Sequence, residues 1–99
     1  MSIRLVVHIT AKPGRGPEFA RIYNARCAEI RKRAGCIEHQ IYQDLSDPDN
    51  FVQLELWSSQ EALDAHLELN RTNGPWPGVA EVRAEAPYSR EDYVYNRTA

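Results

Sequence analysis

The chain has 99 residues, 42% of them apolar, which suffices for one domain with a modest core. A formal charge of −2 and a pI near 5.9 exclude the basic profile of a nucleic-acid-binding domain. No apolar run of roughly 18 residues is present, so no transmembrane helix is expected. Cys27 and Cys36 are too few for a disulfide scaffold, and reduced thiols in a cytoplasmic protein are the expectation. No internal repeat or low-complexity segment divides the chain, so residues 1–99 are read as a single domain.

Ile3 to Thr10 alternates as a first strand, with Ile3, Leu5, Val7 and Ile9 on one face. Arg4, Val6, His8 and Thr10 fall on the other. With no positively charged lead and no small-residue cleavage site, this segment reads as a strand and not as a signal peptide. K-P-G-R-G-P then breaks it, and Pro17 suits the first position of a helix running to about Ala34, with Gly35 as its stop. Phe19, Ile22, Tyr23, Ile30 and Ala34 form its apolar stripe. Arg21, Glu29, Arg31, Lys32 and Arg33 are left to solvent, the basic ones suiting the negative end of the helix dipole.

Cys36 to Leu45 reads as a second strand, joined by S-D-P-D-N to a third, Phe51 to Trp57. Pairing Leu45 with Phe51 would set Gln43 opposite Gln53, Ile41 opposite Glu55 and His39 opposite Trp57. One face then carries Ile37, His39, Ile41, Gln43, Gln53, Glu55 and Trp57. The other carries Cys36, Glu38, Gln40, Tyr42, Val52, Leu54 and Leu56, and a slip of one residue would regroup both sets. Ser58 stands three residues before Glu61, a capping-box spacing, and the second helix is expected from Ser59 to about Asn70. N-R-T-N-G-P-W-P-G follows as a loop, with Trp76 between two prolines. A fourth strand is predicted over Val79–Ala86, ended by Pro87, and E-D-Y-V-Y-N supplies a short last strand.

This β-α-β-β-α-β order is that of a ferredoxin-like α+β sandwich, with helices on one face of an antiparallel sheet. The bare face would leave Val52, Leu54 and Leu56, or their opposite set, in water. Such a patch marks an interface, so we expect a homodimer.

His66, two turns into the second helix, is the first candidate for chemistry. Its imidazole titrates near neutrality and could take a phenolic proton, or it could simply be a hydrogen-bonded structural histidine. Trp57 is either a flat wall for an aromatic substrate or a core anchor. Glu55, if it shares the Trp57 face, could orient His39 or His66 or act as a base, or it could be exposed or paired with an arginine. In this order the third strand lies between the first and second, so His8, Glu55 and His39 invite a metal reading. No short histidine spacing supports it, and no metal is expected. Core packing is the better reading of Cys27 and Cys36. The K-P-G-R-G-P loop lacks a phosphate-binding frame, and no nucleophile elbow is present, so neither a nucleotide cofactor nor covalent catalysis is expected. Tyr42, Tyr88, Tyr93 and Tyr95 can donate hydrogen bonds, but nothing separates them from interface tyrosines.

Four stretches match a pattern seen elsewhere: K-P-G after the first strand, A-G-C-I-E-H-Q-I-Y after the first helix, D-P-D-N-F in the hairpin, and E-L-W-S-S-Q-E-A-L-D-A-H-L. Through them the chain, from Ile3 to Leu69, resembles the antibiotic-biosynthesis-monooxygenase family of dimeric α+β-barrel proteins. The resemblance places Trp57 and His66 at the family's recurrent Trp and His. It places Gln53 where polyketide-tailoring members can carry an amide near the substrate. Family members include quinol oxygenases, polyketide-tailoring oxygenases, haem-degrading enzymes and an isomerase, so fold transfers better than reaction. The haem-degrading triad of a strand-one Asn, a helix Trp and a later His is absent, because Val7 or His8, His66 and Trp76 stand at those places. After Leu69 the chain departs from the usual pattern, with N-G-P-W-P-G where members often have more helix.

The resemblance implies a cofactor-independent monooxygenase acting with dioxygen on a small phenolic, quinol or polyketide-like substrate. His66 would be the proton acceptor, with Trp57, Gln53, Glu55 and His39 around the substrate and Trp76 at the rim. Two other readings stay open: a dimeric ligand-binding or stress-associated protein without turnover, and a non-oxidative isomerase or cyclase using the same His66.

Overall fold

Seven elements appear in the computed structural model, which describes residues 2–84 and 90–96. They are β1 (Ile3–Thr10), α1 (Gly16–Ile30), β2 (Cys36–Gln43), β3 (Asn50–Trp57), α2 (Gln60–Asn73), α3 (Val79–Val82) and β4 (Arg90–Asn96). The strands form one antiparallel sheet in the order β2-β3-β1-β4. This is the expected ferredoxin-like α+β arrangement.

Alternation in β1 and β3 decides the layers. Ile3, Leu5, Val7, Ile9, Phe51 and Trp57 are buried on the inner face, where α1 packs with Phe19, Tyr23, Cys27 and Ile30. Phe19 stacks on Tyr23 at 4.1 Å between centroids and on Phe51 at 4.5 Å. Burying each such side chain contributes about 1.5–3 kcal/mol, so this layer dominates stability. The outer face carries Val52, Leu54 and Leu56, half-buried, with Tyr42, Tyr93 and Tyr95 exposed. Asp49 in the hairpin loop accepts from the backbone N–H of Gly14 at 2.9 Å and of Gly16 at 3.0 Å. That carboxylate therefore serves the donor-rich start of α1 from a distance in sequence.

Several expectations are corrected. The hairpin pairs Gln43 with Phe51, Ile41 with Gln53 and His39 with Glu55, two residues away from the predicted register. A shift of two preserves the faces, so His39, Gln53, Glu55 and Trp57 still share one. An irregularity between Cys36 and Glu38 turns Ile37 outward to 59% exposure. Helix α1 ends at Ile30, four residues before Ala34, because Lys32 and Arg33 bond back three residues to Glu29 and Ile30 and tighten the turn. Ala34 is consequently exposed, and Cys27 joins the buried stripe instead.

Ser59, not Ser58, caps α2. Its side chain accepts from the Ala62 N–H at 3.1 Å, while the Ser58 N–H donates to the Gly35 carbonyl at 2.8 Å. α2 continues past Asn70 to Asn73, where Gly74 ends it at φ 74°. The strand predicted over Val79–Ala86 is a single helical turn, Val79–Val82, followed by one bridge between Arg83 and Ala11. Left-handed Gly78 at φ 86° redirects the chain there, and Val79 and Val82, three apart, bury the same side. The last part of that predicted strand, 85–86, lies outside the described residues, as do Pro87 and Tyr88.

Candidate active site

Alternation on β3 brings Gln53, Glu55 and Trp57 to the inner face, exposed by 2%, 1% and 0%. Burying an amide and a carboxylate is unfavourable unless their polar atoms are satisfied. Here they satisfy one another. Gln53 Nε2 donates to Glu55 Oε2 at 2.8 Å, and Trp57 Nε1 donates to Glu55 Oε1 at 3.0 Å. The sheet register sets His39 directly across from Glu55, with Nε2 at 3.5 Å from Oε1. α2 delivers His66 from above, its Nε2 at 3.6 Å from the same oxygen. The Trp57 ring lies 4.3 Å from that of His66, tilted by 31°. One buried carboxylate thus collects two histidines, an indole and an amide.

His39 is fully buried, and its basicity is lowered to about 3. Burial is the main cause, followed by Arg26, His66, Arg31 and Arg33. Its Nδ1 lies 3.2 Å from Cys27 Sγ, and burial pushes that thiol up to about 11. Cys27 is therefore a protonated thiol that can donate to Nδ1, leaving the ring proton on Nε2, toward Glu55. Among the described residues, no hydrogen bond of normal length reaches that Nε2. Arg31 Nη1 fixes the local backbone by donating to the His39 carbonyl at 2.7 Å.

Arg33 sets the proton on His66. Its Nη1 lies 2.7 Å from His66 Nδ1 and 2.7 Å from Asn70 Oδ1. A guanidinium only donates, so Nδ1 must accept and the ring proton sits on Nε2, directed at Glu55. The Asn70 Nδ2 contact to Nε2, at 3.3 Å, is longer and uncharged, so the charge-assisted bond prevails.

His39, Glu55 and His66 can each offer one ligand atom within 4.8 Å of the others, a spacing close enough for a metal. The protonation pattern opposes it. With Arg33 on Nδ1, the Nε2 of His66 has no lone pair to give, and Arg26, Arg31 and Arg33 add repulsion that also lowers His39. His8, considered from the sequence for such a site, is on the outer face, edge-on to Tyr93 at 5.8 Å.

A cavity of about 500 Å³ opens beside this cluster, between α1, the end of α2 and the loop to α3. Tyr23, Arg26, Arg33, Asn70, Trp76 and Arg83 are among its walls. Trp76 thus stands at the cavity, while Trp57, Gln53, Glu55, His39 and His66 lie behind its wall. Arg33 joins the two through His66, and Arg26 does so by donating to Gln53 Oε1 at 3.5 Å. A second hollow of about 510 Å³, with His8, Tyr42 and Tyr93, lies on the outer face. The sheet separates it from the buried cluster, which the inner cavity adjoins.

The sequence reading missed Arg26, Arg33 and Asn70. For the two arginines the available signal was spacing: Tyr23, Arg26, Ile30 and Arg33 follow one another at three- and four-residue steps, on the side of the apolar stripe.

A sequence profile described as antibiotic biosynthesis monooxygenase matches residues 2–71. A conserved protein from Methanosarcina mazei Go1 is 26% identical, with a TM-score of 0.81 over 99% of this chain and 94% of that one. A Pseudomonas aeruginosa protein is also 26% identical, with a TM-score of 0.78 over 99% and 95% of the two chains. SnoaB from Streptomyces nogalater, a cofactor-independent oxygenase, shares the fold, with a TM-score of 0.76 at 14% identity over 99% and 94% of the two chains. An uncharacterized protein of Synechocystis is 30% identical over 61 residues, which are 62% of this chain but only 42% of that longer protein. With the matched profile spanning most of its length, the chain belongs to the antibiotic biosynthesis monooxygenase family.

Proposed function

We propose that this protein is a cofactor-independent monooxygenase for a small phenolic or quinol-like substrate, bound in the inner cavity, with Glu55 and His66 as its proton-accepting pair. The observation that carries the reading is the position of Arg33, which lines the cavity and caps His66 Nδ1. A substrate that draws Arg33 onto its own oxygen frees Nδ1. That nitrogen then takes the phenolic proton, while Nε2–H faces Glu55 and the imidazolium is stabilised by the buried carboxylate. The substrate anion supplies the electrons to dioxygen. For an anthrone-type CH₂, one oxygen atom becomes the carbonyl oxygen and the other leaves as water with the two displaced hydrogens. Gln53 and Trp57 hold Glu55 in place for this role, His39 closes the far side, and Trp76 offers a ring face to the substrate.

Oxygen uptake by metal-free protein with a panel of quinols and anthrones tests the proposal. Wild type should consume oxygen, and His66→Ala should lose about 10²–10⁴ of the rate. No uptake across the panel would remove the oxygenase reading. Product without oxygen uptake would instead assign isomerisation or cyclisation, and aromatic binding without product a ligand-binding role.

We also propose that the protein is a homodimer joined through the outer sheet face, where Val52, Leu54 and Leu56 lie among the tyrosines. Light scattering after size exclusion should give twice the chain mass of 11.3 kDa, and Leu54→Lys should shift the protein to the chain mass. A wild-type protein that runs at the chain mass would refute this.

A further inference from the structure

We infer that Asn70 is a positioning residue: its side-chain carbonyl holds the Arg33 guanidinium over His66 Nδ1 and so sets how readily a ligand can uncover that nitrogen. The inference rests on His66 being the proton acceptor, as proposed above, and names the control on its exposure.

Several contacts converge on one guanidinium nitrogen. Arg33 Nη1 lies 2.7 Å from His66 Nδ1, 2.7 Å from Asn70 Oδ1 and 3.4 Å from the His66 carbonyl oxygen. His66 and Asn70 stand one turn apart on α2, so one side of the helix presents both acceptors to the turn that follows α1. Asn70 is itself fixed, since its backbone carbonyl accepts from the Gly74 N–H at 3.1 Å where the helix ends. It is half-buried and lines the inner cavity together with Arg33, so a ligand there would meet the guanidinium and its anchor side by side.

Donor chemistry fixes the amide. A guanidinium only donates, so the oxygen of Asn70 faces Arg33 and its NH₂ faces His66 Nε2, at 3.3 Å. In the resting tautomer that NH₂ meets an N–H, so the amide steadies the ring through Arg33 and not by a bond of its own. A neutral amide oxygen also binds a guanidinium less firmly than a carboxylate does. Arg33 is thus kept on His66 by a partner that a ligand oxygen bearing negative charge can outcompete. With Asn70→Asp the hold would become an ion pair, and the second carboxylate oxygen would accept from Nε2–H and lock the same tautomer.

The test is hydrogen exchange of the Arg33 guanidinium, followed by NMR in the ligand-free protein, for wild type, Asn70→Asp and Asn70→Leu. Losing the acceptor in Asn70→Leu should speed exchange by about two- to tenfold, the range for one lost hydrogen bond. Asn70→Asp keeps the acceptor and adds charge, so its exchange should be slower than that of wild type. Backbone amides of residues 63–67 should exchange at the wild-type rate in both variants, which separates a hold on Arg33 from a general loosening of α2. Ring-nitrogen shifts of His66 should place the proton on Nε2 in wild type and in Asn70→Asp.

Equal exchange in all three proteins, faster exchange in Asn70→Asp, or faster Arg33 exchange that comes only with loosened α2 amides would each overturn the inference. So would a His66 proton on Nδ1 in wild type. Should Asn70→Leu fail to fold, the comparison of wild type with Asn70→Asp decides by the same criterion. Because neither ligand nor turnover is involved, the two proposals can fail separately. The expected order of exchange with no oxygen uptake on any substrate sinks only the oxygenase reading. Oxygen uptake with Arg33 exchange indifferent to position 70 sinks only this one.

Discussion

Glu55→Ala should destabilise the protein by about 3–5 kcal/mol, the range for breaking up a buried, hydrogen-bonded charge cluster. In a domain of this size that lowers the melting temperature by more than about 12 °C. The reason lies in what remains behind. Trp57 Nε1 and Gln53 Nε2, both in a buried site, would lose their acceptors at 3.0 Å and 2.8 Å. The two histidine N–H groups would lose the charge they face. Glu55→Gln separates stability from chemistry. It keeps the shape and one acceptor oxygen, so the cost should fall to about 1–3 kcal/mol. On the proposed mechanism the negative charge set against a protonated His66 would be gone, and turnover should drop by about 10²–10⁴. A Glu55→Gln variant that melts a few degrees lower yet oxidises substrate at the wild-type rate would remove Glu55 from the mechanism and leave it a structural role.

Acid should unfold the protein earlier than its surface carboxylates alone would require, because of His39. Its folded pKa is lowered from 6.5 to about 3, chiefly by burial. The unfolded state therefore binds the extra proton first. The stability from keeping His39 neutral is complete above pH 6.5 and is lost progressively as the pH falls toward 3. At pH 4.5 the loss from this one ring should be about 2–3 kcal/mol. Thermal midpoints of wild type and His39→Leu, measured from pH 7 down to pH 4, read this directly. The variant should be less stable at pH 7, since the Cys27 and Glu55 contacts are changed, and its acid limb should be flatter. Two parallel curves would show that His39 does not carry the acid sensitivity.

The buried cluster was largely legible in the chain because period-two alternation is insensitive to where a strand pairs. The register differs by two residues from the predicted one, and Gln53, Glu55, Trp57 and His39 share a face either way. What alternation cannot convey is depth, so Trp57, read as wall or anchor, lies behind the cavity wall with its indole N–H on Glu55. The Val79–Ala86 strand failed for the opposite reason. Alternating Val, Glu and Arg there resembles an edge strand, but the left-handed Gly78 starts a helical turn that no hydropathy pattern reveals. Arg33 was assigned to solvent as a basic residue in a helix's last turn. Helix α1 stops at Ile30, and the following turn swings Arg33 inward to His66, a consequence of geometry in a four-residue stretch.

Gly35 governs how closely that turn and α2 approach. It sits at φ 80°, and a side-chain carbon there would come within 2.4 Å of Ala62 Cβ and 2.8 Å of Ser58 Oγ. Two bare surfaces meet at this point, clasped by the Ser58 amide on the Gly35 carbonyl. Position 35 therefore acts as a spacer of zero thickness between the segment bearing Arg33 and the helix bearing His66. Any larger residue would wedge the two apart and open the guanidinium–imidazole contact without touching either group. A change that looks remote from the cluster would then act as a tuning screw on it, altering the environment of His66, the proposed proton acceptor, through backbone separation alone.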